Sequence, residues 1–193
     1  KLFMPGLFGA ALLQINILIS RLLALSLDDT AVSFLYISSR LMELPLGIFT
    51  IAIVTVFFPQ LSRLYASKSN RDFKIVLEKG MKLILIIVTP ACLGLCLLSE
   101  EILYTLFYWG NFSNSAVIAT SPLVLIYSLA LPFHSITTYC VRAFYASKDM
   151  KTPVRVSTYF LIFNSVFSIL LMAFFGVYGL AIANLLAAIF HSL

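Results

Sequence analysis

The chain has 193 residues, of which 61% are hydrophobic and only 11% charged, with a formal net charge of +5 and a mean hydropathy of +1.03. Soluble domains run at about 45–50% apolar and about 25% charged residues, so this composition excludes an ordinary water-soluble globule and predicts a multi-span membrane protein. The excess of basic residues does not imply nucleic acid, because its placement matters more than its sum, and Cys92, Cys96 and Cys140, all in apolar stretches, argue against a disulfide framework.

A spanning helix needs about 20 apolar residues. Six stretches qualify, and they read as helices because they are long and do not alternate. The first runs from Leu2 to Leu27 and carries Gln14, Asn16, Ser20 and Arg21. Lys1 leads it without a small-residue cleavage site, so no signal peptide is read there. The second, Ala31 to Phe58, holds Arg40, Glu43 and Pro45. The third runs from Met81 to Leu98 and extends toward Phe107, where "FYWGNF" (107–112) reads as an interfacial aromatic belt. The fourth covers Ala116 to Val141, the fifth Val154 to Phe175 with Asn164 and Ser168, and the sixth Tyr178 to the end with Asn184. Gly176 and Gly179 mark a tight turn between the last two. Pro45, Pro90, Pro122 and Pro132 fall inside spans and are expected as kinks, with neighbouring helices satisfying the freed carbonyls. The chain starts without methionine and stops within an apolar stretch, and is read as a piece of a longer protein, with residues 1–193 forming a single transmembrane lobe.

The loops set the orientation. Arg63, Lys68, Arg71, Lys74, Lys79 and Lys82 lie between spans two and three; Arg142, Lys148, Lys151 and Arg155 lie between spans four and five. The opposite loops carry Asp28, Asp29, Glu100 and Glu101 and no basic residue. If each stretch crosses once, both basic loops share a side, which the positive-inside rule makes cytoplasmic. These loops also resemble each other: "RLYASKSNRDF" (63–73) and "RAFYASKDMKTP" (142–153) share Tyr-Ala-Ser-Lys. Such a match suits either an internal repeat, common in transporters, or two membrane-edge loops that converged.

The polar residues inside the spans carry the functional question. Arg40 sits nine residues into its span, about 13 Å at 1.5 Å per residue and thus near the centre of a core about 30 Å thick. Glu43, at i+3, shares its face and pairs with it. The pair is either an internal ion pair with no substrate role, or a cavity-facing site in which Arg40 meets an anionic group and Glu43 holds it in place. Buried ion pairs rarely stabilise a fold on balance, and arginine suits phosphate through bidentate hydrogen bonds, so the second reading is preferred. Pro45 weakens the helix just beyond and is read as a hinge. Arg21, near the acidic end of its span, is expected to snorkel to the surface. Asn16 with Ser20, and Asn164 with Ser168, are spaced i, i+4; these groups and Asn184 are expected to bond neighbouring helices rather than hold a cation. His134 and His191 have no carboxylate or cysteine at metal-ligand spacing, Cys92 and Cys96 read as packing residues, and no Gly-rich phosphate loop is present, so enzyme chemistry is not expected.

These segments resemble a known family. "RLMELPLGIFTIAIVTVFFPQLSR" (40–63) is similar to the eighth transmembrane helix of the bacterial lipid II flippase (MurJ/MviN) family of the MOP flippase superfamily. "AFYASKDMKTPVRV" (143–156) resembles its loop between helices ten and eleven, "PGLFGAALLQINILIS" (5–20) its seventh helix, and "GLAIANLLAA" (179–188) its twelfth. The resemblance implies an all-α membrane protein, a six-helix bundle equivalent to helices 7–12 of a fourteen-helix, two-lobe transporter in the bacterial cytoplasmic membrane. It implies translocation of an undecaprenyl-pyrophosphate-linked peptidoglycan precursor by alternating access, with a first lobe of the same chain and membrane lipids as partners and no nucleic acid. It places Arg40 and Glu43 in a central cavity. Some members bind sodium through an aspartate of the seventh helix and polar residues of the eleventh and twelfth. The nearest positions here are Ser20, Asn164, Ser168 and Asn184, with no carboxylate, so a sodium site is expected to be weak. The rival readings are a lipid-linked polysaccharide flippase or multidrug exporter of the same superfamily, a membrane-embedded enzyme, and a lipid-binding scaffold.

Overall fold

The computed structural model describes residues 3–109 and 112–192, with side chains from residue 11 onward except 13. The predicted spans become helical rods. They are α1 (Phe3–Leu25), a long rod made of α2 (Asp29–Pro45), a π-helical turn (Leu46–Thr50) and α3 (Ile51–Ala66), then α4 (Asn70–Leu97), α6 (Asn114–Ala146), α7 (Lys151–Phe175) and α8 (Val177–Ser192), with the short α5 (Ser99–Phe107) between α4 and α6. Four rods, 29–66, 70–97, 114–146 and 151–175, are long and apolar enough to cross a membrane; Gln14–Leu25 and Val177–Ser192 are shorter apolar stretches. The expected start at Leu2, end at Leu193, and Gly110 and Asn111 of the aromatic segment lie outside the described residues.

The surface is apolar in the way lipid requires. Ile86, Leu97 and Phe174 are 68%, 79% and 81% exposed, a burden that a water-soluble domain would not carry in such patches. The interior sets small and hydroxylated residues beside large apolar ones such as Leu61, Ile84 and Leu131. Gly179, Ala181, Ala183, Ala187 and Ala188 form the buried face of α8, letting backbones approach closely where there is no water to drive association. A Cβ on Gly179 would overlap the Leu171 carbonyl. Buried Ser38, Thr120 and Ser128 return their hydroxyls to carbonyls one turn back, at Phe34, Ala116 and Val124, so these three donors are satisfied within their own helices.

Two expectations are corrected. The third span does not continue to Phe107: the chain breaks at Leu98 and restarts as α5, whose first turn holds Glu100 and Glu101, where carboxylates favour a helix start. Of the aromatic segment, Phe112 packs edge-on against Phe34 and beside Phe107, while Tyr108 and Trp109 are exposed. The basic "loops" are largely helix. Arg63 lies in the last turn of α3, Arg71 to Lys82 on the first turns of α4, Arg142 inside α6, and Lys151 and Arg155 at the start of α7. The connections themselves are only Ser67–Ser69 and Ser147–Met150.

Candidate functional site

The long rod changes its hydrogen-bonding pattern where the sequence placed proline. Pro45 has no N–H to give, and just beyond it the ladder slips to π geometry, with Ile51 N–H donating to Leu46 O. Inside that turn the buried Thr50 hydroxyl donates to Ser135 on α6 at 2.9 Å. Pro132 lies inside the continuous α6, one turn before the same contact, and removes one N–H from its ladder. Both helices are therefore weakened at one level and fastened there by a single hydroxyl pair.

On the side of this level toward the start of the rod, α2 presents Tyr36, Arg40 and Glu43 to a cavity of about 610 Å³. That volume lies within the 300–1,000 Å³ usual for ligand sites. The Arg40 guanidinium donates to Glu43 at 2.6 Å, with the two side chains 53% and 46% exposed. The pair thus stands in the cavity wall rather than sealed between helices. Tyr36, one helical turn before Arg40, places its ring under both Arg40 (5.0 Å) and Arg21 (5.7 Å), a cation–π arrangement that holds guanidinium groups against an apolar wall. Arg21, expected to snorkel to the surface, is exposed near the end of α1 and also lines the cavity, with its guanidinium on the Tyr36 face. Arg142, assigned to a loop by its sequence, lines the same cavity from α6, its guanidinium over Tyr145 at 6.0 Å. The α2 spacing Tyr36–Arg40 (i, i+4) was a readable signal for the first of these contacts; nothing in the sequence placed Arg142 inside.

The expected neutral cation ligands separate. Asn164 Nδ2 donates to Asn16 Oδ1 at 2.8 Å, joining α7 to α1 in the buried interior. Asn184 Oδ1 faces His134 Nε2 at 3.3 Å, joining α8 to α6. Ser20 and Asn184 line the cavity, whereas Asn164 is not among its walls. Asn164 Oδ1 is buried without a hydrogen-bond partner, so one neutral oxygen is free there. Yet the three do not face a common space and none carries charge. As placed, Ser20, Asn164 and Asn184 do not fit a resident sodium ion, and the helix-bonding role expected of such groups is what Asn16 and Asn164 perform. Phe160 stacks on His191 at 4.8 Å and meets His134 edge-on. Among the described residues no three His, Cys, Asp or Glu side chains gather as metal ligands.

Comparison with known proteins agrees with this architecture. The family model described as lipid II flippase MurJ matches residues 1–193. Proteins named probable lipid II flippase MurJ are 36% identical in Haemophilus influenzae, over 97% of this chain and 38% of that protein, and 33% identical in Thermotoga maritima, over 95% and 38%. A solved structure, lipid II flippase MurJ in an inward closed conformation, superposes with a TM-score of 0.89 at 28% identity, over 98% of this chain and 40% of that one. The chain thus spans under half the length of the relatives it matches. With the family model matching from end to end and the helical rods superposing on a solved member, the chain belongs to the lipid II flippase MurJ family.

Proposed function

We propose that this chain is one lobe of a flippase that carries an anionic, pyrophosphate-linked lipid across the bacterial cytoplasmic membrane, the lipid II class of substrate being the reading its family supports. The observation that carries the proposal is the Arg40–Glu43 pair, half exposed in a cavity eleven residues inside α2. That distance is about 16 Å along the helix, so the charge stands near the middle of the bilayer, where an arginine is retained only if a cavity or partner receives it. Arg40 offers a planar fork to phosphate oxygens, and Glu43 fixes its rotamer and offsets its charge while the cavity is empty. The remaining wall of the path would come from a first lobe, and the apolar tail of the substrate would ride in the surrounding lipid.

The weakened level at Pro45, the π turn and Pro132 is where the lobe bends as the cavity opens to one face and then the other. The basic helix ends face the cytoplasm, and the acidic turns at Asp28–Asp29 and Glu100–Glu101 face outward. Because Ser20, Asn164 and Asn184 do not fit a sodium ion, membrane potential acting on the anionic substrate supplies the drive. Transport in potassium-based, sodium-free buffer is expected to match transport in sodium.

The test uses the full-length protein. Arg40→Ala is expected to reach the membrane and fail to support growth of a flippase-depleted strain, while Arg40→Lys, which keeps the charge and loses the fork, rescues in part. Normal growth with Arg40→Ala would remove the proposed role. Rescue of a polysaccharide-flippase mutant, but not of the lipid II flippase mutant, would move the substrate to the sister class.

A further inference from the structure

The cavity does not end at Arg40. Its lining runs from Ala24 and Val32, at the turn that joins α1 to α2, to Tyr145 and Pro153, at the turn that joins α6 to α7. These turns lie at opposite ends of the rods, since successive rods reverse direction. Arg21 is four residues from the end of α1 and Arg142 four residues from the end of α6, each about 6 Å in from its own face. The Thr50–Ser135 bond gives a common level for α2 and α6. Arg40 lies ten residues before it and Arg142 seven residues after it, about 15 Å and about 10 Å to opposite sides. Arg21 shares the Tyr36 ring with Arg40 and continues toward the other face.

We propose that Arg142, Arg40 and Arg21 form a ladder of cationic stations along this one cavity, by which the anionic headgroup is passed from the cytoplasmic mouth through the midplane to the outer mouth. The inference rests on the flippase reading above and adds two positions to it. Among the described residues the ion pairs are Arg40–Glu43 and Lys74–Glu78, so Arg21 and Arg142 pair with no carboxylate there. Each is instead laid on a tyrosine face, which orients the guanidinium and leaves its N–H edges open. The middle station alone carries a counter-charge. Passage requires binding strong enough to admit the anion and weak enough, over several sites, to release it. Glu43 keeps the midplane well shallow, where apolar walls make an unopposed charge act most strongly. Two unopposed cations at the mouths and one offset cation at the centre therefore favour entry and exit over trapping.

The test is the initial rate of flipping of a fluorescent undecaprenyl-pyrophosphate-linked probe by the full-length protein in liposomes, as a function of probe concentration. Arg142→Gln is expected to raise the half-saturating concentration about tenfold with the maximal rate kept, because it removes capture at the cytoplasmic mouth. Arg21→Gln is expected to lower the maximal rate about tenfold with half-saturation unchanged, because it removes the exit station. Arg142→Lys and Arg21→Lys are expected to recover most of each loss, which a purely structural role would not allow. Both Gln variants matching wild type, while Arg40→Ala flips nothing, would overturn the ladder and leave the flippase reading standing. Lys variants as impaired as the Gln variants would also overturn it. No flipping by the wild-type protein would sink both.

Discussion

The turns Tyr65–Asn70 and Tyr145–Met150 have nearly one backbone and two different surroundings. In each, the serine N–H returns to the carbonyl four residues back, Ser67 to Arg63 and Ser147 to Ala143. The lysine N–H then bonds the tyrosine carbonyl, Lys68 to Tyr65 and Lys148 to Tyr145, and the next N–H reaches back five residues, Ser69 to Leu64 and Asp149 to Phe144. Both lysines are left-handed, with φ of 55° and 61°. This is the Schellman way to end a helix, usually built on glycine. Lysine accepts the strain because a cation at a helix C-terminus offsets part of it. The shared Tyr-Ala-Ser-Lys string is thus a helix stop. The surroundings then diverge. Tyr145 lines the cavity under Arg142, whereas Tyr65 meets Phe73 outside it and Arg63 is absent from the cavity walls. Local sequence made the turn; position in the bundle made one of the two part of the cavity wall.

The largest effect should come from prising the two hairpins apart. Gly80 on α4 leaves room for Tyr139 of α6, whose ring a Cβ would overlap and whose hydroxyl donates to Val76 O at 3.3 Å. Gly80→Leu is expected to destabilise the full-length protein by about 3 kcal/mol, the upper range of overpacking, read as thermal unfolding in detergent. An unchanged midpoint would mean that this joint does not hold the turns together.

Next comes the functional asymmetry. Tyr145→Ala should slow flipping about tenfold, equivalent to about 1.4 kcal/mol, and Tyr65→Ala should leave it unchanged. Equal losses would erase the distinction between the turns. Their backbone equivalence is open to a separate check: Lys68→Val and Lys148→Val should each lower stability by about 1–2 kcal/mol, since a β-branched residue is poorly tolerated at positive φ. Costs that differ widely would show that the two caps are not alike in energy.

The smallest effect concerns how each following helix starts. Asp149 accepts from the Lys151 and Thr152 N–H groups and from the Thr152 hydroxyl at 2.6 Å, and bonds from the Thr152 side chain and backbone hold its carboxyl below the usual value of 3.8. A lowered pKa means that the cap's contribution is complete above the ordinary carboxylate range and is lost as pH falls through the lowered value. The unfolding midpoints of wild type and Asp149→Ala should therefore differ at pH 6 and converge on acidification toward pH 3. A gap that persists at the acidic end would assign the difference to packing instead of to the carboxylate.

The sequence by itself determined the rods, because unbroken apolar length in a membrane leaves the backbone no alternative to the helix. It also determined the Arg40–Glu43 pairing, fixed by i, i+3 spacing, the irregular turn that follows Pro45, and the two lysine stops, since each is decided within one or two turns. Where helices end was less legible. α4 begins at Asn70 rather than Met81, because charged residues continue a helix beyond the lipid as readily as apolar ones. What only the tertiary structure decided was which polar residue meets which space. Arg142 looked like a loop charge, and Arg21 gave no sign of a shared space with Arg40, until α1, α2 and α6 closed around one cavity. Asn16 and Asn164, 148 positions apart, were ambiguous until the fold brought them to 2.8 Å. Helix spacing fixes a side chain's direction from its own axis, but the space it enters belongs to its neighbours, and only their packing creates that space.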